Sequence, residues 1–169
     1  QFFEKARVRK ELNTIIFLGG SQGAKEINEF AFKIAKTKKY KIIHQTGKLD
    51  FERCEKFYKD NNLKVDYFDF DDNLIDKIVE ADFAVSRAGA STLFELVSNQ
   101  VPTLFLPYPY SAGNHQYFNA EYLVDKGVGF LDKNIDFENI DIETISRKLG
   151  DINHKYGAKN MVDFMIDKR

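Results

Sequence analysis

The chain has 169 residues, 43% of them apolar and 30% charged, with a net charge of -1. That length suits one ordinary domain with its own core, and the composition excludes a disordered or collagen-like chain and offers no basic excess for nucleic acid. The single Cys54 excludes an internal disulfide, and without a Cys/His cluster a zinc site lacks ligands, so the chain reads as cytoplasmic by default.

Short apolar runs alternate with stretches of helical period, the pattern of βαβ units around a parallel sheet. Thr14-Ile15-Ile16-Phe17-Leu18 is the first strand. After a glycine loop, Ile27, Phe30, Ala31 and Ile34 recur at helical spacing, so the first helix lays one stripe on the sheet. Lys41 to His44 is the second strand and Phe51 to Asn61 the next helix. Lys64 to Phe68 makes a third strand, followed by a helix over Leu74 to Glu80. Asp82 to Ser86 is the fourth strand, Thr92 to Ser98 a helix, and Thr103 to Leu106 the fifth strand. Beyond these, Gln116 to Asp125 is expected to be helical and Gly127 to Leu131 a short sixth strand. Ile140, Ile145 and Leu149 suggest another amphipathic helix, and Met161 to Ile166 a last one. No apolar run approaches the ~18 residues that span a bilayer, Gln1-Phe2-Phe3-Glu4-Lys5 lacks a signal-peptide pattern, and no linker or repeat divides the chain, so residues 1-169 read as a single domain.

In open parallel sheets ligands bind beyond the carboxyl ends of the strands. Nearly every unusual residue falls there: Gly19-Gly20-Ser21-Gln22-Gly23 after strand one, Gln45-Thr46-Gly47-Lys48 after strand two, and Asp69-Phe70-Asp71-Asp72 after strand three. Strand four runs into Arg87-Ala88-Gly89-Ala90-Ser91-Thr92. Strand five runs into a long loop ending in Asn114-His115-Gln116. Glycines let a backbone approach phosphate closely, and the N–H groups opening the next helix favour an anion. A dinucleotide fingerprint would need Gly where Leu18 stands and an acid where His44-Gln45 stand, which disfavours NAD. A P-loop would need Gly-Lys-Ser/Thr, and Ala24 follows Gly23, which disfavours that kind of ATP site. No cofactor is implied.

The loop at Gly89-Ala90-Ser91-Thr92 supplies a second helix N-terminus, and two of them facing one crevice suit a diphosphate. Glu95 has three readings: an acceptor for ribose hydroxyls, a capping-box glutamate on the Thr92 backbone, or a solvated helix residue. Arg87 either neutralises phosphate or ties adjacent loops together. His115, Gln116 and Asn119 fall near one side of a helix's first turns, where imidazole and amide groups can meet sugar hydroxyls. His44, at a strand end, is ambiguous, one reading being a hydrogen bond within the sheet edge. Asp69, Asp71 and Asp72 read as N-capping residues rather than a metal site.

Four of these segments stand in the order and spacing of a known family. Gly19-Gly20-Ser21-Gln22-Gly23-Ala24, His44-Gln45-Thr46-Gly47-Lys48, Ser86-Arg87-Ala88-Gly89-Ala90 with Glu95, and His115-Gln116 with Asn119-Ala120 resemble the MurG family of bacterial UDP-N-acetylglucosamine transferases, over the chain up to about residue 131. The resemblance implies a GT-B architecture of two Rossmann-like domains, of which this chain is similar to the C-terminal, donor-binding one: an α/β fold with helices on both faces of a parallel sheet. It further implies that Gly20, Ser21 and Gln22 with Gly89, Ala90, Ser91 and Thr92 contact the diphosphate, that Glu95 takes the ribose, and that Phe70 and Asp71 lie at the uracil. Gln116, Asn119 and His115 would read the N-acetylglucosamine hydroxyls; the family often has two consecutive glutamines where His115-Gln116 stand. Beginning without Met, the chain reads as an excised domain, with the family's N-terminal acceptor domain, its candidate base and most of its membrane-associating surface absent. The implied reaction of the complete protein, peripheral on the cytoplasmic face of the inner membrane, is an inverting, metal-independent transfer of GlcNAc from UDP-GlcNAc to lipid I. The excised domain itself is expected to bind UDP-sugar without turnover. Two alternatives are a GT-B relative that epimerises or hydrolyses UDP-GlcNAc, and a non-catalytic sugar-nucleotide-binding subunit.

Overall fold

The computed structural model describes residues 5–152. Six parallel strands form one sheet: β1 (Thr14–Leu18), β2 (Lys41–Gln45), β3 (Asp66–Phe68), β4 (Phe83–Ser86), β5 (Thr103–Phe105) and β6 (Gly129–Phe130), in the order β3-β2-β1-β4-β5-β6. Between them run α1 (Lys25–Ala35), α2 (Phe51–Asp60), α3 (Leu74–Glu80), α4 (Ala90–Ser98) and α5 (His115–Asp125), and residues 142–152 form a further helix, α6. The chain builds outward from β1 to β3, then crosses back to lay β4 on the other side of β1. Order therefore reverses between β1 and β4, which opens a crevice at their carboxyl ends.

Alternation along β1 divides the core. Ile15 and Phe17 point to one face, where they meet Ile27, Phe30, Ala31 and Ile34 of α1 and Tyr58 of α2. Ile16 and Leu18 point to the other face, against Ile78 and Leu96 of α3 and α4. All four β1 residues are buried, as a strand covered on both faces requires. A third cluster joins α4, α5 and α6 through Leu93, Val97, Leu123 and Leu149. Ahead of β1, the fully buried Arg9 donates to the carbonyls of Ala81 and Arg7, and Arg7 pairs with Asp82 at 2.7 Å, so the entering segment is strapped to the α3–β4 corner.

Four elements depart from expectation, the first being β3, which starts at Asp66 rather than Lys64. β6 is only two residues long because Gly127 belongs to the end of α5: at φ +66° it donates to the Val124 carbonyl while Val128 donates to that of Leu123, a Schellman closure. Ile140 lies outside α6; Asp141 accepts from the Thr144 N–H at 3.0 Å and starts the helix after it, and the buried stripe is Ile142, Leu149 and Ile152. α4 begins at Ala90, two residues earlier than expected, with Gly89 as its N-cap. The expected helix over Met161 to Ile166 lies outside the described residues.

Candidate functional site

The glycine loop after β1 is locked to the loop after β2. Gly20, Gly23 and Gly47 take φ of +78°, +92° and +76°, the left-handed region that favours glycine. Gly47 lies so close to Gly23 that a Cβ on it would come within 2.0 Å of the Gly23 nitrogen, and one on Gly23 within 2.6 Å of the Thr46 carbonyl. The Lys48 N–H donates to the Ser21 carbonyl at 3.0 Å and the Gly19 N–H to that of Gln45 at 3.3 Å. Gly20, Ser21 and Gln22 are left exposed above this contact. α1 follows from its N-cap Ala24, whose methyl cannot accept a hydrogen bond from the helix's first N–H groups. Gly89 likewise leaves α4 without a side-chain cap. Both helices flanking the crevice therefore present amide N–H groups and the positive ends of their dipoles towards it.

Arg87 joins the two sides. Its Nη1 donates to Glu26 Oε2 at 2.9 Å, to the Leu106 carbonyl at 2.5 Å and to the Pro107 carbonyl at 3.1 Å, and its guanidinium lies 5.8 Å from the Tyr108 ring centre. Of its two sequence readings, the loop-tying one describes these contacts. Glu26 also pairs with Lys133. Burial raises the Glu26 carboxyl, but hydrogen bonds from Lys133 and Arg87 outweigh it and hold the group below its ordinary range. Between these residues lies an open cleft of about 700 Å³, lined by Gly19, Gly23, Ala24, Lys25, Arg87, Tyr108 and Gln116 among others.

On α4 the residues that face away from the core are Ser91, Thr92 and Glu95, while Leu93, Leu96 and Val97 are buried. Glu95 sits four residues after Ser91 and three after Thr92, hence on their side of the helix. Its carboxylate is half-buried and takes no hydrogen bond from any described residue, and burial alone pushes its pKa up. The capping-box reading does not describe it, because the helix starts two residues before Thr92. Asn119 is buried and donates through Nδ2 to the Ala88 carbonyl at 3.0 Å, which ties α5 to the loop before α4. Gln116 lines the cleft, its Oε1 accepting from the Tyr108 N–H at 2.9 Å, so its amide nitrogen is the end left for a ligand. His115 is exposed, with Nδ1 2.6 Å from the Ala112 carbonyl.

After β3, Asp69 accepts from the Phe70 N–H at 2.7 Å and Asp71 from that of Asn73 at 2.8 Å. Both carboxylates thus shape the turn before α3. Phe70 is 43% exposed, with the Lys48 ammonium 5.8 Å from its ring centre, so the loops after β2 and β3 meet there. Of the sequence-assigned residues, Gln116 lies in the open cleft; Phe70 and Asp71 stand on the β2–β3 side, and Ser91, Thr92 and Glu95 on the exposed side of α4. His44 is a correction: it is fully buried between β2 and the helices α1 and α2, bonded to Tyr58 and Asn28 rather than to the sheet edge. Sequence reading also passed over Glu26, Asn28 and Tyr108. Asn28 carried a signal, as a lone amide beside the apolar stripe of α1.

Comparison with known proteins agrees with this arrangement. The family profile of the glycosyltransferase family 28 C-terminal domain matches residues 14–163. A Campylobacter jejuni protein named UDP-N-acetylglucosamine--N-acetylmuramyl-(pentapeptide) pyrophosphoryl-undecaprenol N-acetylglucosamine transferase is 49% identical over 180 aligned positions, covering 99% of this chain and 52% of the relative. A Nitratiruptor protein of the same name is 59% identical over 125 positions, covering 72% of this chain and 38% of its own. The chain thus spans about half the length of the curated relatives it matches. The crystal structure of Acinetobacter baumannii MurG superposes with a TM-score of 0.64 at 29% identity, covering 88% of this chain and 43% of that one. A UDP-glucose: anthocyanidin 3-O-glucosyltransferase in complex with UDP shares the fold, with a TM-score of 0.65 at 13% identity. The chain belongs to the glycosyltransferase family 28 C-terminal domain family, and its fold is that of the C-terminal half of a GT-B glycosyltransferase.

Proposed function

We propose that this chain is the nucleotide-sugar-binding domain of a transferase that moves GlcNAc from UDP-GlcNAc to the lipid-linked acceptor lipid I. The observation that carries the reading is the pair of uncapped helices, α1 and α4, that begin on either side of the β1/β4 crevice, with the Glu95 carboxylate, unpartnered among the described residues, one turn beyond Ser91. A diphosphate fits between the two N-termini: its charge is met by backbone N–H groups of Gly20 to Gln22 and Gly89 to Thr92 and by the helix dipoles. Those donors are fixed before the ligand arrives, so they stabilise the charge that builds on UDP as it leaves. Glu95 accepts from the ribose hydroxyls. Phe70 and the Asp71 turn lie against the uracil, while Gln116 and His115 offer hydrogen bonds to the sugar and Asn119 holds the loop beneath them. The attacking hydroxyl belongs to lipid I, which the acceptor domain of the complete protein holds beside its base, so this chain alone binds UDP-GlcNAc and does not turn it over. No described helix is long and apolar enough to cross a membrane, and the complete protein meets its lipid acceptor as a peripheral protein through the other domain.

Calorimetric titration with UDP-GlcNAc, UDP-GalNAc and UDP-glucose tests this reading. Glu95→Ala should weaken each by about 1–3 kcal/mol, the cost of removing a charged acceptor from two hydroxyls. An equal loss for a nucleotide that lacks the ribose hydroxyls, or no loss at all, would remove Glu95 from the site.

A further inference from the structure

The side chains around His44 make none of the donor contacts described above, yet they end on the backbone that supports the glycine loop. His44 Nδ1 lies 2.7 Å from the Tyr58 hydroxyl and Nε2 lies 2.9 Å from Asn28 Oδ1, with both His44 and Asn28 fully buried. Asn28 Nδ2 in turn donates to the Thr46 carbonyl at 3.1 Å and to Asp50 Oδ2 at 2.6 Å, and Arg53 holds that carboxylate at 2.6 Å. Turning the Asn28 amide over would set its oxygen against two acceptors, so the orientation is fixed. Oδ1 must therefore accept, His44 donates through Nε2, and the Tyr58 hydroxyl donates to Nδ1. One proton arrangement satisfies every member of the chain. It requires a neutral imidazole, and burial lowers the His44 pKa to about 3.

The Thr46 carbonyl is the atom on which Gly23 rests, and Gly47 presses on the Gly23 nitrogen and Cα. We propose that Asn28 and His44 are positioning residues for the donor diphosphate: the chain from Tyr58 through His44 to Asn28 fixes Thr46-Gly47, which hold Gly20 to Gly23 in the conformation that presents amides to phosphate. The proposal rests on the donor-site reading above. It differs from a purely structural role in one measurable way. Uridine does not use the glycine loop and UDP does, so damage transmitted through Thr46 separates the two ligands, whereas general loosening weakens both.

The test is titration of the 169-residue chain, Asn28→Ala and Tyr58→Phe with UDP and with uridine, alongside thermal unfolding. The unaltered chain should prefer UDP. Asn28→Ala should lower UDP affinity about tenfold while uridine changes by less than about twofold. Tyr58→Phe keeps the ring and removes only the hydroxyl, so it carries the test if Asn28→Ala fails to fold; the expected loss is about threefold, again for UDP alone. An unchanged UDP-to-uridine ratio in the folded variants, or equal loss of both ligands, overturns the positioning role. An unaltered chain that binds uridine as tightly as UDP instead overturns the donor reading on which the proposal stands.

Discussion

The loops after β1 and β2 and the loops after β4 and β5 border the same crevice but are held by different means. On the first side backbone meets backbone: Gly23 and Gly47 touch with no room for a Cβ, and the buried chain of Tyr58, His44 and Asn28 supports the contact from below. On the second side, side chains span the gaps, with Arg87 reaching the Leu106 and Pro107 carbonyls and Asn119 reaching that of Ala88, while the Glu95 carboxylate has no partner among the described residues. On the proposed reading, the division follows the part of the donor that each side meets. A diphosphate asks for amides at fixed positions, which only a rigid backbone supplies; ribose and sugar hydroxyls ask for side-chain donors and acceptors that are not already consumed. Changes to the first side's backbone contact should therefore cost stability and diphosphate binding together, whereas loss of the free Glu95 acceptor on the second should cost binding alone.

Gly47→Ala should break the comparison most sharply. Its new Cβ would sit 2.0 Å from the Gly23 nitrogen and 2.2 Å from the Gly23 Cα, both backbone atoms, at a φ of +76°. We expect a loss of about 3 kcal/mol or more in urea unfolding, together with loss of UDP binding. Gly20→Ala is the control: at a similar φ of +78° it meets nothing within 4 Å, so only the left-handed strain of about 1–2 kcal/mol remains.

The pH dependence of stability probes the support beneath that contact. In the unfolded chain His44 takes a proton near its ordinary 6.5, whereas in the folded chain burial keeps it neutral down to about 3. Between those values the unfolded state binds the extra proton, so the stability His44 contributes is complete above pH 6.5 and is lost as pH falls. The slope approaches about 1.4 kcal/mol per pH unit, or about 2 kcal/mol between pH 6.5 and 5. Asp50 acts in the same direction at lower pH: hydrogen bonds from Arg53, and then Asn28, outweigh burial and hold its carboxyl below the ordinary 3.8. Urea midpoints from pH 7 to 5 should fall steeply in the unaltered chain and remain nearly level in His44→Gln. Parallel slopes would place the titrating group elsewhere.

How far each side could be read from sequence follows from the same contrast. Strand periodicity, the alternation in β1 and the α1 stripe are local patterns, and the structure returned all five of the longer strands, β1 to β5, with their order deciding where the crevice opens. The glycines of loops one and two were visible as residue types, but the Gly23–Gly47 contact joins residues 24 positions apart and has no local signature. His44 was misplaced for a related reason. A histidine near a strand end looks like an edge residue until β2 is known to be an inner strand with α1 and α2 above it. The end of α5 was misread because Gly127 was counted into a strand, when a glycine just past a helix is more informative as its cap. On the second side Arg87 and Glu95 both stand out by residue type; the three-dimensional partners of Arg87 select its loop-tying reading, while the start of α4 at Ala90 removes only the capping-box reading of Glu95.

Arg87→Lys should produce a smaller change, about 1 kcal/mol. All three bonds come from the single Nη1, so an ammonium on the shorter lysine stem keeps only part of them, and it cannot lie against Tyr108 as a flat cation. Chemical denaturation gives the cost directly. A loss as large as that of Gly47→Ala would show that the second side is as rigidly built as the first.

Glu95→Gln should scarcely alter stability, and that near-zero result is the most discriminating. Burial raises the Glu95 carboxyl above its ordinary 4.5 with no partner to offset it. A folded state that holds its proton more tightly than the unfolded state loses stability as pH rises through the folded pKa, so at neutral pH the ionised group weakens the fold. Glutamine keeps the shape without the charge. The unfolding midpoint should stay within about 0.5 kcal/mol of the original, on the stabilising side, and the small difference should vanish below pH 4. UDP affinity should fall in the same variant, because a neutral amide accepts from ribose hydroxyls less strongly than a carboxylate does. On the proposed reading, the ribose hydroxyls supply the donors that the described residues do not give Glu95. If Glu95→Gln instead destabilised the fold at neutral pH, the carboxylate would have a partner within the protein, and the second side of the crevice would be closed where a ribose needs it open.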